Sequence, residues 1–131
     1  MRSLNQSHRT THTTVGLIPA RWHSSRFDGK PLAEIDGVPM IKRVYDQAML
    51  CKNLDTVVIL TDDMRIYSYC QGLTMPVEMI VSDKIKTGTD RCAEAIKFLE
   101  GRVFVNIQGD EPLINPDAID LLIENHTGGV S

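Results

Sequence analysis

The 131-residue sequence predicts an α/β domain: a mostly parallel sheet with helices packed on its faces. Three observations carry that expectation. The runs VGLI, TVVIL, VEMIV and VFVNI are short and mostly apolar, the first continuously so, as a strand buried on both faces of a parallel sheet is. Segments with apolar residues at i, i+3, i+4 and i+7 lie between them, so strand and helix alternate four times, joined by right-handed crossovers. Loops rich in charge, hydroxyls and glycine follow three of the four strands, at the ends where open α/β sheets hold ligands.

The first strand is Val15 to Ile18. The stretch it opens, Gly16 to Leu32 (GLIPARWHSSRFDGKPL), sets Arg21, Arg26 and Lys30 within ten residues beside one acid, Asp28. Guanidinium groups fork onto phosphate oxygens, an ammonium adds a point charge, and Gly29 lets backbone come close, so a phosphate chain is the expected guest. The competing reading is a solvated basic loop. Beyond Pro31 the chain reads as extended with a turn at Asp36-Gly37, and Pro39 sits where a helix can start. Ile41, Val44, Tyr45 and Ala48 give that helix its apolar stripe, from about Pro39 to Cys51.

The second strand is Thr56 to Leu60, followed by Thr61-Asp62-Asp63 at the start of a helix that runs to about Gln71, with Gly72 as its stop. Asp62 and Asp63 admit a metal-pair reading, but helix capping outranks it. Val77 to Val81 is the third strand, and the polar loop after it, Ser82 to Gly88, offers Lys84 and Lys86 to the same anion. From Thr89, the residues Cys92, Ala95, Ile96 and Leu99 form a helical stripe ended by Gly101, with Cys92 facing the core. Val103 to Ile107 is the fourth strand, and QGDEP follows it. There Gly109 makes a tight turn, Asp110 is posted as a ligand for Mg²⁺, and Pro112 turns Glu111 away. Asn115-Pro116-Asp117 supplies an N-cap, a first-turn proline and a first-turn acid for a helix through about Asn125.

Length and composition allow one lobe: a flexible arm over 1–13, a nucleotide-binding α/β domain over 14–127 and a loose tail over 128–131. The arm has two arginines and no acid, like an organelle transit peptide, but lacks apolar periodicity and reads as a frayed start. Its His8 and His12 read as surface histidines. A net charge of -3 gives no general attraction to nucleic acid or anionic membrane, and no apolar run reaches membrane-spanning length. Cys51, Cys70 and Cys92 are odd in number and widely spaced, which disfavours a disulfide framework or zinc site and points to a reducing, cytoplasmic setting. There is no G-x-G-x-x-G, and Gly29-Lys30 runs into Pro31 where a Walker loop needs Ser or Thr. Cations beside one metal carboxylate point to phosphoryl or nucleotidyl transfer.

Three motifs in one register, IPARWHSSRFDGKPL, TGTDR at Thr87 to Arg91 and NIQGDEP at Asn106 to Pro112, resemble the CMP-KDO synthetases, the 3-deoxy-manno-octulosonate cytidylyltransferases. The resemblance covers about residues 14 to 125; IPAR…GKP alone also fits sugar nucleotidyltransferases at large. It implies a Rossmann-like three-layer α/β/α nucleotidyltransferase fold, here truncated to about the N-terminal half, since family members are about twice this long. The implied reaction joins CTP to the eight-carbon acid sugar KDO, giving CMP-KDO and pyrophosphate for lipopolysaccharide or capsule. By the same resemblance Pro19, Ala20 and Arg21 lie against the nucleotide, Ser24, Arg26 and Lys30 surround its triphosphate, Gln108 sits near the cytidine, and Thr87, Gly88, Thr89 and Arg91 close the base and phosphate side. Asp110 ligates magnesium, and Arg21, Lys30 and Asp110 form the catalytic set, because charge develops on the α-phosphate oxygens and departing pyrophosphate.

Two positions depart from the family pattern: Asp28 stands where proline is usual, and Ile85 where histidine is usual. The absent half implies that a second metal aspartate, much of the sugar pocket and a dimer contact come from elsewhere, through a homodimer or a partner chain. Two alternatives stand beside the enzyme: a non-catalytic nucleotide-binding module needing a partner, and a related acid-sugar nucleotidyltransferase.

Overall fold

The computed structural model describes residues 13–23, 28–81 and 85–130, with 126–130 by backbone alone. Expectations placed on 1–12, Ser24, Arg26, 82–84 and Ser131 lie outside the described residues. The chain runs β1 (Thr14–Ala20), a 3₁₀ turn (Lys30–Leu32), β2 (Glu34–Ile35), β3 (Val38–Pro39), α1 (Met40–Ala48), β4 (Thr56–Thr61), α2 (Met64–Gly72), β5 (Val77–Met79), α3 (Gly88–Ile96), β6 (Val103–Asn106) and α4 (Pro116–Val130).

β1 is buried along nearly its whole length because it pairs in parallel on both sides, with β4 from Val15 to Ala20 and with β6 from Thr14 to Leu17. β5 adds to β4, giving the order β5-β4-β1-β6. Alternation along β1 then fixes the layers. Ile18 and Ala20 join Val57, Ile59, Val105 and Ile107 beneath α1, α2 and α4, which contribute Ile41, Val44, Ile66, Cys70 and Ile123. Val15 and Leu17 face the other way, with Val58, Leu60 and Ile80, under Cys92 and Ala95 of α3. Residues such as Ile59 and Leu60, fully inaccessible, each stabilise the fold by about 1.5–3 kcal/mol through burial. The α/β/α arrangement and mostly parallel sheet expected from the sequence are therefore present.

Local chemistry explains each boundary. Asp36 (φ 53) and Gly37 (φ 81) both take the left-handed conformation that a tight β2–β3 hairpin requires, and Asp-Gly tolerates it best. Asp63 caps α2, its Oδ1 accepting the Arg65 N–H at 2.8 Å. Thr87 and Asp90 form a reciprocal capping box, with Asp90 N–H donating to Thr87 Oγ1 at 3.0 Å and Thr87 N–H to Asp90 Oδ2 at 3.2 Å. Asn115 Oδ1 accepts the Asp117 N–H at 2.9 Å to open α4, which extends past Asn125 to Val130.

Two glycines do not stop helices as expected. Gly72 is the last residue of α2, and the left-handed residue is Thr74 (φ 57). Met75 N–H reaches Cys70 O at 2.9 Å and Thr74 N–H reaches Gln71 O at 3.0 Å, a Schellman closure sealed by buried Met75. Helix α3 starts one residue earlier than its stripe and ends at Ile96; Gly101 lies beyond it. Gly101 is small for packing: a Cβ there would stand 2.9 Å from Val15 Cγ2 and 3.0 Å from the Phe104 ring. Pro39 precedes the first turn of α1 as its N-cap residue.

Candidate active site

The strand order reverses between β1 and β6, so the crevice beyond their C-terminal ends is the fold's natural ligand position. Pro19 stands at its centre. Pairing with β6 closes with Ile107 N–H on Leu17 O at 2.8 Å, and Gly109 then passes so near that a Cβ there would lie 2.3 Å from the Pro19 carbonyl oxygen. From the α3 side, a Cβ on Gly88 would lie 3.0 Å from Pro19 Cγ. Three segments distant in sequence, the basic loop, TGTDR and QGDEP, thus meet around one residue.

Their charges meet as well. Lys30 Nζ approaches Asp110 Oδ2 to 3.7 Å, and both side chains stay open to solvent. Arg21 donates from Nη1 to the Lys86 carbonyl at 3.2 Å, bridging the end of β1 to the entry of α3. Gln108 is exposed, its carbonyl accepting Glu111 N–H at 3.4 Å, and Glu111 faces solvent. Asp28 Oδ1 lies 3.2 Å from Nδ1 of His23, and both side chains are exposed. Asp110 is one donor: among the described residues no three His, Cys, Asp or Glu side chains cluster as a metal site. One exposed carboxylate does suit Mg²⁺, which keeps several waters and takes phosphate oxygens.

Arg91 is oriented differently from a ligand-facing arginine. It is 3% exposed, donates from Nη1 to the Ile80 carbonyl, and brings Nη2 within 3.8 Å of Asp62 Oδ2. Burial pushes its pKa below the usual arginine value, while Asp62 opposes the shift. Asp62 in turn accepts the Trp22 N–H on Oδ1 at 3.0 Å. Trp22 O accepts Gly29 N–H at 2.6 Å, and the Arg65 guanidinium lies 3.3 Å from the Trp22 ring centroid. Gly29 is obligatory twice over, by its left-handed φ of 74 and by a ring atom 2.8 Å from any Cβ it carried.

Sequence reasoning does not mark Trp22 or Arg65, and it reads Asp62 with Asp63 as a helix-capping residue, a role that only Asp63 takes. The one available signal was the Asp62-Asp63 doublet. Asp63 is the cap; Arg65, hydrogen-bonded to its carboxylate, brings its pKa down to about 2. Asp62 turns instead to the basic loop. Elsewhere, an open hollow of about 280 Å³ between α1 and Pro112-Leu113 contains no residue expected to touch nucleotide. Its cations are committed, Lys42 to Asp46 at 2.6 Å and Arg43 to the Ile35 carbonyl. No helix among the described residues is long and apolar enough to cross a membrane.

The cytidylyltransferase family profile matches residues 15–129. The chain is 47% identical over 123 residues to the mitochondrial 3-deoxy-manno-octulosonate cytidylyltransferase of Arabidopsis thaliana, covering 92% of this chain and 42% of that protein. It is 50% identical over 110 residues to the 8-amino-3,8-dideoxy-manno-octulosonate cytidylyltransferase of Shewanella sp. (strain W3-18-1), covering 82% and 44%. A solved CMP:2-keto-3-deoxy-manno-octonic acid synthetase complexed with CTP superposes with a TM-score of 0.84 at 36% identity, over 88% of this chain and 48% of that one. The chain therefore spans less than half the length of these relatives. A profile match across this span, with a plant and a bacterial relative that are both named as octulosonate cytidylyltransferases, carries the conclusion that the chain belongs to the cytidylyltransferase family.

Proposed function

We propose that this chain is the nucleotide-binding part of a 3-deoxy-manno-octulosonate cytidylyltransferase, joining CTP to KDO to give CMP-KDO and pyrophosphate for lipopolysaccharide or capsule synthesis. The observation that carries the reading is the 3.7 Å approach of Lys30 to Asp110 across the switch point. Their side chains are 39% and 58% exposed, so the pair itself contributes only about 0–1 kcal/mol and readily exchanges for phosphate and metal.

In this reading Arg21 and Lys30 offset charge on the triphosphate as a sugar hydroxyl attacks the α-phosphorus and pyrophosphate departs. Ser24 and Arg26 add to the phosphate cradle. The Pro19 and Ala20 backbone and Gln108 hold the nucleotide, Thr87, Gly88 and Thr89 close its other side, and Arg91 supports them from beneath. No side-chain nucleophile is required, because in-line displacement depends on positioning and charge. Mg²⁺ held by Asp110 would supply Lewis-acid stabilisation of the phosphate oxygens. We assign the rest of the sugar pocket and a second metal carboxylate to polypeptide beyond these residues, contributed by a longer chain, a homodimer or a partner. Three free, buried cysteines support a reducing compartment such as the cytoplasm; the Arabidopsis relative is a mitochondrial enzyme.

The test is pyrophosphate release that requires CTP, Mg²⁺ and KDO together. Asp110→Asn is expected to lower turnover by about 100-fold or more, the scale of losing one transition-state charge contact, while CTP affinity changes little. An unchanged rate removes the metal assignment. The likeness to the 8-amino-3,8-dideoxy enzymes favours a second sugar, so the amino sugar belongs in the same assay.

A further inference from the structure

We propose that Asp62 is a positioning residue for the nucleotide site, holding Trp22 so that Arg21 and Lys30 are set before any ligand arrives. The proposal rests on the nucleotide-binding reading above and adds to it a residue outside the three motifs.

The geometry carries it. Arg21 and Lys30 immediately flank the two ends of a narrow neck, Trp22 and Gly29, closed by the 2.6 Å bond from Gly29 N–H to Trp22 O. The neck is tied to the sheet through Trp22. Its N–H is held by Asp62 at 3.0 Å, directly beyond the end of β4, and its ring lies under Arg65, itself fixed to the α2 cap by Asp63 at 2.8 Å. The other Asp62 oxygen faces the buried guanidinium of Arg91, 3.8 Å away on α3. One carboxylate therefore joins the basic loop, the β4–α2 junction and α3. A charged acceptor makes the stronger hydrogen bond to a backbone N–H, and the same carboxylate is the counter-charge nearest the buried guanidinium. Preorganised cations cost no rearrangement when the triphosphate binds, which is where such a residue acts.

Trp22 is the sole tryptophan of the sequence, so its fluorescence reports the neck directly. Asp62→Ala alone leaves Arg91 buried without its counter-charge and is open to misfolding; the double variant Asp62→Ala/Arg91→Leu removes both charges together, and its quenching and CTP affinity are read against Arg91→Leu alone, because Arg91 itself supports the nucleotide site. Acrylamide quenching of Trp22, CTP binding by calorimetry and thermal unfolding are measured on the same samples. With the double variant folded, quenching should rise at least about twofold as the neck opens locally. CTP affinity should fall about tenfold, equivalent to the net worth of one hydrogen bond. Asp62→Glu, which keeps the charge, should recover part of both. Unchanged quenching in a folded double variant overturns the proposal, and so does raised quenching with undiminished CTP affinity. A wild-type chain that binds no CTP refutes the nucleotide reading itself, and the positioning role with it, before any substitution is made.

Discussion

Gly109 shows how tightly single residues specify this site. Its nearest neighbour is a backbone atom, the Pro19 carbonyl oxygen 2.3 Å from where a Cβ would stand, and backbone cannot swing aside as a flexible side chain can. Gly109→Ala must therefore push QGDEP away from β1 and carry Asp110 from Lys30. We expect it to destabilise the chain by about 1–3 kcal/mol, the range for overpacking, and to lower turnover along with stability. Gly72→Ala is the control. Nothing lies within 4 Å of that position, and alanine in a helix is worth about 0.5–1 kcal/mol over glycine, so it should be neutral or stabilising. Urea denaturation of both variants separates the two cases. Gly109 was legible in the sequence as a turn beside Asp110, whereas its steric role was not, because the atom it avoids is ninety residues away.

At the scale of elements, the caps were easier to read than the stops. Asp63 and Asn115 act over two or three residues, and local side-chain chemistry is what a sequence displays; the Thr87 cap, of the same kind, escapes a reading that starts the helix at Thr89. Gly72 and Gly101 misled because a helix end is decided by the packing beyond it: Met75 is buried to close α2, and Val15 and Phe104 crowd the turn after α3. The Asp63 cap also gives α2 a pH signature. Arg65 brings the Asp63 carboxyl to about 2, below its unfolded value of about 3.9. A depressed carboxylate contributes stability that is complete above the unfolded pKa and is lost as pH falls through the folded one. Asp63→Asn keeps a capping side chain and removes only the charge. It should cost about 1 kcal/mol or less at pH 7, since the Arg65 partner is exposed and the pair is screened by solvent. That gap should narrow steadily from about pH 4 to pH 2 in urea titrations; a gap constant across this range would assign the effect to the hydrogen bond alone.

For the whole molecule, four mostly apolar runs alternating with helical stripes sufficed to foresee the sheet, and the two central strands, β1 and β4, are the ones buried on both faces. The same runs do not show which helix covers which face, and here the coverage is unequal. α1, α2 and α4 share the larger cluster, which includes Cys70, while among the described residues the cluster holding Cys92 lies under one helix, α3, of nine residues. Local opening follows local packing, so the α3 face should open at lower free energy than its counterpart. The thiols make this measurable. Burial pushes Cys92 up to about 11 and Cys70 up to about 12, so both react slowly while folded and become reactive once their face opens. Alkylation at pH 8 in rising denaturant, resolved by peptide mass mapping, should modify Cys92 before Cys70. Modification of both at one denaturant concentration would mean that the two faces of the sheet give way together, and that the single helix on one side is held as firmly as the three on the other.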